Sequence, residues 1–351
     1  METSGVSGQL QDLNKKIDES EAPADLKGRI NARLDQLSRL VQSPTFLPEF
    51  DRINNYIDWI VSLPWNKKTL DQLDLGHARE ILDSHHYGLS EIKERVLEYL
   101  SVMKLKQGKG EEAEFSRAPI LCFVGLVGTG KTTIAYSIAE AMGRQIARIP
   151  FGGMEDALDL RGQSRMHAEA EPGKVIKALR TAQSRNPVIL LDEIDRVTDA
   201  GRASIMGVLV ELLDPTQNSS FVDHYIDFPF DLSQCLFIAT ANNTTNIATA
   251  VMDRLEPLSM PSYNDEEKIT IGKKYILPKA MRETGLNQDS IIFDEDVWPN
   301  MVRPLGFDSG IRTLERTIAG VVRKVARDIV EGKGNQFHIT KDNVREFLPQ
   351  Y

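Results

Sequence analysis

Residues 119–132 read PILCFVGLVGTGKT, and this stretch decides the fold. Its first half is a short apolar run, which is typical of a buried strand. Its second half matches the pattern G-x-x-x-x-G-K-[ST], and a helix is predicted from Lys131 onward. Because glycine lets a backbone turn tightly enough to aim its N–H groups at a phosphate, the combination predicts a nucleotide-binding loop. A chance match in a glycine-rich turn is the alternative.

The loop assigns a task to each of its polar positions. We expect the Lys131 ammonium to reach the β- and γ-phosphates and the Thr132 hydroxyl to bind Mg²⁺. The residues predicted to contact the nucleotide are Gly125, Leu126, Val127, Gly128, Thr129, Gly130, Lys131, Thr132 and Thr133.

Further short apolar runs follow at 146–149, 188–191 and 236–239, with helical stretches between them. Strands that alternate with helices predict a parallel sheet covered on both faces, so the predicted fold class is α/β. We divide the chain into a helical segment with a linker, an α/β nucleotide-binding domain and a small helical domain, at residues 1–118, 119–260 and 261–351.

Helical periodicity dominates on both sides of the α/β block. Apolar residues recur every three or four positions from Leu26 to Val41, as in an amphipathic helix. Residues 1–25 are polar and are expected to be frayed, and residues 107–118 are predicted to be a flexible linker. Further helices are predicted at 53–63, 89–105, 264–285, 294–303 and 310–331, with a short strand at 337–339.

The apolar run that begins at Val188 ends in two carboxylates, Asp192 and Glu193. Since a buried parallel strand ends at the edge of a sheet, we expect Asp192 to hold Mg²⁺ and Glu193 to polarise the attacking water. The alternative is a strand followed by an acidic helix cap, and the nucleotide-binding loop upstream favours the catalytic interpretation.

Three later residues carry weaker signals. Asn242 comes shortly after the apolar run 236–239 and could touch the γ-phosphate or orient water, although a turn asparagine is the simpler interpretation. Arg254 lies just before the run Glu256–Met260, and Arg312 lies at the start of the last long helix. Their spacing gives no reason to interpret either of them as more than a surface arginine.

The composition is that of a globular protein and excludes several classes. The 351 residues carry 42 Lys+Arg against 51 Asp+Glu, a net charge of −9, which argues against nucleic acid as a partner. Two cysteines, Cys122 and Cys235, cannot form a disulfide framework; we expect both to be buried and inert in a reducing, cytoplasmic compartment, with a redox pair as the alternative. Neither a membrane span nor an import signal is predicted.

The order of these elements resembles an AAA+ ATPase, and five stretches resemble the ATPase of the Lon protease family. The five stretches are Asn55–Trp65, His86–Leu100, Leu213–Asn218, Phe221–Tyr225 and Leu277–Lys279. The resemblance runs from about residue 25 to 350. It implies a P-loop NTPase fold with a five-stranded parallel sheet, preceded by a helical segment and followed by a small helical lid, that hydrolyses ATP with Mg²⁺.

The resemblance also implies roles for individual residues. Asn242 corresponds to sensor 1, Arg254 to the arginine finger that reaches into a neighbouring subunit, and Arg312 to sensor 2. The adenine pocket would be formed by Tyr87, Gly88 and Ile92. Since each site then needs an arginine from next door, the implied assembly is a homohexameric ring.

Two departures from the family shape the expected function. The 351 residues leave no room for the family's substrate-recognition domain or its Ser/Lys peptidase domain, so we expect ATP hydrolysis without proteolysis by this chain alone. At the aromatic–aliphatic position of the pore loop, within Arg161–Gly173, the sequence has His167 and Ala168. The leading hypothesis is a motor that unfolds or translocates protein for a peptidase elsewhere. The alternative is a nucleotide-gated assembly protein that threads no polypeptide.

Overall fold

The structure, a computed structural model, describes residues 2–108, 120–167, 169–302 and 310–349. Most of the predicted linker, Ala168 of the pore loop and Ser309 before Arg312 lie outside these residues. Among the described residues, helices precede the sheet as α1 (Glu2–Asp18), α2 (Ala24–Ser38), α3 (Phe46–Ser62), α4 (Leu75–His85) and α5 (Ser90–Gly108).

Helix α1 contradicts the expectation that residues 1–25 are frayed. Leu10, Leu13 and Ile17 are buried in the same apolar cluster as residues of α2 and α3. These three residues form a short stripe in an otherwise polar stretch, and tertiary packing rather than local propensity makes such a helix stable. Helix α4 was not predicted either.

The α/β block alternates strands and helices as predicted. Its elements are β1 (Ile120–Val124), α6 (Lys131–Ala141), β2 (Ile146–Pro150), α7 (Leu158–Arg161), α8 (Lys174–Ala182), β3 (Val188–Asp192), α9 (Arg202–Leu212), α10 (Pro215–Asn218), β4 (Phe221–Val222), β5 (Pro229–Phe230), β6 (Leu236–Ala241), α11 (Thr249–Met252) and β7 (Leu255–Ser259). Five strands form a parallel sheet in the order β2-β3-β6-β1-β7, which confirms the predicted fold class.

Alternate residues of the sheet pack into two different apolar clusters. Leu121 and Phe123 of β1 belong to a cluster with α4, α5 and α6, whereas Cys122 belongs to a cluster with α1, α2 and α3. The amino-terminal helices therefore share their apolar core with both faces of the sheet. The boundary at residue 118 stays a prediction.

The carboxyl-terminal part forms a third apolar cluster. Its elements are α12 (Asp265–Ile271), α13 (Leu277–Thr284), β8 (Ile291–Phe293), α14 (Trp298–Val302), α15 (Arg312–Val330), β9 (Phe337–Ile339) and α16 (Val344–Phe347). A π-helical turn, Gly272–Ile276, joins α12 to α13. Pro278 explains this wide turn, because its ring would clash with the carbonyl group four residues earlier in a regular helix.

Both cysteines are free thiols, one within the sheet and one just before a strand of it. Cys122 is buried in β1, Cys235 is half-buried just before the neighbouring β6, and burial raises the pKa of each thiol to about 12. Neither is therefore a thiolate at neutral pH. No helix in the described part of the chain has the length and apolar character needed to cross a membrane.

Candidate nucleotide-binding site

The glycine-rich loop joins the end of β1 to the start of α6, as the sequence predicts. Gly128 and Gly130 have φ of +84° and +95°, in the left-handed region that favours glycine. Gly125 lies so close to the end of β7 that a Cβ atom there would be 2.7 Å from the carbonyl oxygen of Met260. The loop therefore packs tightly against its neighbours and can present its own amides to a ligand.

Lys131 points back into the loop. Its ammonium donates hydrogen bonds to the carbonyl oxygens of Gly125 (2.6 Å) and Leu126 (2.9 Å) and to Oδ1 of Asn242 (3.1 Å). Burial lowers the pKa of Lys131, and the nearby carboxylates, Glu193 first among them, oppose this shift. The loop lysine and the strand-end asparagine, which are far apart in sequence, are thus in direct contact.

Asp192 is surrounded by donors at the end of β3. Its Oδ1 accepts hydrogen bonds from the hydroxyls of Thr132 (3.2 Å) and Thr240 (2.5 Å). Its Oδ2 accepts a hydrogen bond from Nε of Arg148 (2.7 Å), and Nη2 of the same guanidinium forms an ion pair with it at 2.6 Å. Since Thr132 and Asp192 supply adjacent hard oxygen atoms, the pair fits the ligand preference of Mg²⁺.

Glu193 has an unusual backbone. Its φ is +58°, a conformation that costs free energy in any residue except glycine. The Glu193 N–H donates to the Thr240 hydroxyl (2.9 Å), and that same hydroxyl donates to Asp192. Thr240 is fully buried in β6, so one rigid side chain sets the orientation of both carboxylate residues.

Asn242 is anchored through its backbone, whose N–H donates to Oδ1 of Asp195 (3.0 Å). Its side-chain oxygen accepts from Lys131, whereas the buried Nδ2 atom has no hydrogen-bond partner among the described residues. Buried donors nearly always have an acceptor. An acceptor such as a phosphate oxygen or a water beside it fits this orphaned amide, so the residues present suit a bound nucleotide.

The helical lid contacts the loop at the start of α15. The Ile311 N–H donates to the carbonyl oxygen of Gly128 (3.1 Å), and the Arg312 side chain lies beside the same glycine. Gly310 packs so closely that a Cβ atom would be 2.5 Å from the carbonyl oxygen of Val127. The Tyr263 hydroxyl adds a hydrogen bond to the Thr129 carbonyl oxygen (3.2 Å). Arg312 therefore lies next to the phosphate-binding loop.

The turn between α4 and α5 lies between α6 and the lid. His86 is buried, its Nε2 is 2.9 Å from the Ser137 hydroxyl of α6, and burial lowers its pKa to about 4. Tyr87 packs on the lid cluster, while Ile92 is buried with α6. Gly88 has φ +64°. The three residues predicted to line an adenine pocket thus border both the helix of the loop and the lid.

Comparison with protein-family models gives two matches along the chain. The model of the ATPase family associated with various cellular activities (AAA) matches residues 121–260. The model of the Lon protease AAA+ ATPase lid domain matches residues 282–339. The first range contains the loop and the strand-end carboxylates, and the second contains Arg312.

This chain is a Lon-type AAA+ ATPase module. It is 38% identical over 339 residues to the Lon protease of Halothermothrix orenii, which covers 97% of this chain and 42% of that protein. It is 42% identical over 340 residues to the Lon protease of Lawsonia intracellularis, covering 97% of this chain and 40% of that protein. Lon protease 2 of Thermus thermophilus is 40% identical over 345 residues, with 97% and 42% covered. The chain thus spans about two fifths of the length of these relatives.

Arg254 lies away from the site in the Lon-type module. Its guanidinium donates to Asp214 Oδ2 (2.9 Å) and to the Ala250 carbonyl oxygen (2.7 Å). Its carbonyl oxygen accepts from Ile120 at the start of β1, whereas the loop follows the end of that strand. At about 3.3 Å per residue, the four steps from Ile120 to Val124 place these two ends of β1 about 13 Å apart. Arg254 is therefore not brought to the nucleotide site of its own subunit.

The predicted pore loop is a closed loop held at its neck. The Gln163 N–H donates to the Glu171 carbonyl oxygen (3.1 Å), and the Gly173 N–H donates to the buried carboxylate of Asp223 (2.7 Å). His167 is exposed at the tip. The neighbouring Ala168 lies outside the described residues, so the altered pore-loop pair stays a prediction from sequence.

Sequence reasoning missed four residues that complete the site: Arg148, Thr240, Tyr263 and Gly310. Two of them left a signal, because Thr240 is a hydroxyl residue inside an apolar strand and Arg148 is a charged residue inside the short run at 146–149. Tyr263 and Gly310 left none, since their role depends on where the lid docks.

Proposed function

We propose that the Lon-type module couples ATP hydrolysis to the unfolding or translocation of protein substrates for a peptidase. The observation that carries this proposal is the convergence of Lys131, Asp192, Glu193 and Asn242 at one edge of the sheet. In a cell we place the protein in the cytoplasm, where its two free thiols would stay reduced.

Each group has a distinct task in this proposal. Lys131 and the loop amides bind the phosphates, and Thr132 with Asp192 holds Mg²⁺, which when bound would neutralise phosphate charge. Glu193 accepts a proton from the attacking water. The free Nδ2 of Asn242 donates to a γ-phosphate oxygen or to that water. Arg312 and the turn at Tyr87, Gly88 and Ile92 complete the site from the lid and the adenine side.

Arg254 would act in the neighbouring subunit of a homohexameric ring. Its distance from the loop of its own chain supports action in trans, since an arginine that stabilises transition-state charge must touch the phosphates. Asp214 holds the guanidinium in the single chain, and hydrogen bonds from Thr216 and Arg254 keep the pKa of Asp214 well below its ordinary value. Asp214 therefore stays charged and holds Arg254 in place until a partner subunit docks.

Two substitutions test these assignments. Glu193→Gln should bind ATP with nearly unchanged affinity but turn it over at least about 100-fold more slowly, because a general base contributes about 10²–10⁴ in rate. Glu80→Gln, on an exposed position of α4, is the matched control and should hydrolyse ATP normally. Near-normal turnover by Glu193→Gln would show that another group is the base.

Arg254→Ala should lose ATPase activity while single subunits still bind nucleotide. Mixing it with Glu193→Gln subunits distinguishes action in trans from action in cis. A ring that contains both variants can pair an intact Glu193 with an intact Arg254 from next door, so partial activity should return. No recovery in rings shown to be mixed would contradict the assignment in trans.

The polar His167 at the tip of the pore loop favours a second candidate, a nucleotide-gated assembly protein that threads no chain. Adding an unfolded, casein-like polypeptide to the ATPase assay separates the two. An ATPase rate that rises with the polypeptide supports the motor, and an unchanged rate supports the nucleotide-gated assembly protein. We expect no cleavage of that polypeptide by the chain alone.

A further inference from the structure

A large cleft lies between the amino-terminal helices and the pore loop, on residues that the nucleotide site does not use. Its volume is about 870 Å³, in the range of pockets that enclose a ligand. Helices α2 and α3 form one wall, and parts of the segments 164–170 and 222–227 form the other. The pore loop is therefore one side of this cleft.

Arginines dominate the charge of the cleft. Four line it, Arg29, Arg33, Arg52 and Arg165, together with only two carboxylates among the lining residues that the structure describes, Glu49 and Asp227. A surplus of positive charge in a chain whose net charge is −9 marks a local reversal of sign. Such a patch attracts acidic partners.

The existing ion pairs leave this surplus uncompensated. Arg33 and Arg52 share the single carboxylate of Glu49, at 3.8 Å and 3.2 Å. Among the described residues, Arg29 has no carboxylate within 4.0 Å; its guanidinium lies 5.7 Å from the centre of the Phe228 ring. At least two guanidiniums of the cleft can therefore accept new carboxylate partners without breaking a strong pair.

The floor of the cleft is rigid and partly apolar. Tyr56 is buried, its hydroxyl donates to the Ile226 carbonyl oxygen (2.9 Å), and the Arg165 guanidinium lies 3.8 Å from the centre of its ring. Ile30 and Ile53 add apolar lining. An apolar floor with arginines around it suits an extended polypeptide that carries carboxylates, whereas a nucleic acid would be repelled by a chain whose net charge is −9.

We propose that this cleft binds an extended polypeptide segment through its Asp and Glu side chains and presents it to the pore loop. The inference deepens the proposed function, because it names the class of polypeptide that the module selects. His167 lines the same cleft, so a segment that is bound there already lies against the pore loop.

The test compares two fluorescently labelled, unstructured peptides of equal length by anisotropy, one with Asp and Glu and one with Asn and Gln at the same positions. Wild-type protein should bind the acidic peptide about tenfold more tightly, which corresponds to 1.4 kcal/mol and fits two exposed charge pairs. The double variant Arg29→Gln/Arg33→Gln should lose most of this preference. Arg39→Gln, an exposed arginine near the end of α2 that does not line the cleft, should keep it.

Equal affinity of wild type for both peptides would overturn the inference. So would a single-stranded oligonucleotide that binds the cleft more tightly than the acidic peptide, or a change in oligomer size with Arg29→Gln/Arg33→Gln, which would make the cleft a subunit interface. Basal ATPase activity is measured separately. A chain without ATPase activity that still selects the acidic peptide would contradict the proposed function but support the cleft.

Discussion

Removing the hydroxyl of Thr240 should uncouple hydrolysis from nucleotide binding. Thr240→Val keeps the shape of a side chain that is fully buried in β6 and deletes two hydrogen bonds, to Asp192 (2.5 Å) and from the Glu193 N–H (2.9 Å). Glu193 has φ +58°, so the lost bond is one that holds a costly backbone conformation. The substitution leaves the hydrogen bonds of Lys131 to Gly125, Leu126 and Asn242 in place.

The size of the effect follows from these two bonds. An orphaned buried N–H costs about 1–3 kcal/mol, and a hydrogen bond to a charged group contributes about 1.5–3 kcal/mol. Asp192 keeps donors from Thr132 and Arg148, so the loss is at the lower end, about 2 kcal/mol in the orientation of Glu193. At 1.36 kcal/mol per factor of ten, kcat should fall about 30-fold.

The assay pairs steady-state ATP hydrolysis with equilibrium binding of a fluorescent ATP analogue. We expect Thr240→Val to lower kcat about 30-fold while affinity changes less than about threefold. Thr240→Ser keeps the hydroxyl and should stay within about threefold of wild type in kcat. A Thr240→Val protein with wild-type kcat, or a Thr240→Ser protein as slow as Thr240→Val, would refute the positioning role.

Three further predictions use other features. Burial lowers the pKa of His86 from 6.5 to about 4, so the unfolded chain takes up the proton before the folded protein does as the pH falls. The free energy of unfolding, measured by urea titration, should therefore drop by about 2 kcal/mol from pH 7 to pH 5. His86→Gln should make this free energy depend less on pH. Gly310→Ala places a Cβ atom 2.5 Å from the Val127 carbonyl oxygen, so it should separate the lid from the loop and lower ATPase activity about tenfold or more. Gly207→Ala is the control, because a Cβ atom there has open space around it, and its activity should stay normal. Equal activity of the two variants would contradict the contact between lid and loop. Arg148→Gln removes the positive charge that pairs with the Asp192 carboxylate. The thermal unfolding temperature should therefore fall more in EDTA than with Mg²⁺ and nucleotide, which would supply positive charge in its place. An equal fall under both conditions would show that Arg148 and Mg²⁺ do not neutralise the same carboxylate.

The local sequence pattern was enough to predict those parts of the site whose residues are neighbours in the sequence. The stretch 119–132 contains strand, turn and helix in one segment. The apolar runs 188–191 and 236–239 predicted the two strands that carry Asp192, Glu193 and Asn242 to one edge of the sheet. Parallel strands bring their carboxyl ends together whatever the connections between them, so this part of the site follows from the order of elements.

Long-range packing was beyond such patterns. The local sequence of residues 1–25 does not show that Leu10, Leu13 and Ile17 pack against other helices. Helix α1 is stable because these three side chains are buried against α2 and α3. The spacing around Arg254 likewise says nothing of its distance from the loop, which depends on where β7 pairs with β1.

The sequence by itself determined the nucleotide-binding loop, the parallel sheet and the chemical types of the residues at its edge, because each is written in a short segment with its own periodicity. Only the tertiary structure decided that Thr240 orients two carboxylates, that Gly310 brings Arg312 to the loop, and that arginines of α2 and α3 face the pore loop across a cleft. These features depend on distances between segments that are remote in sequence, and such distances are set by packing.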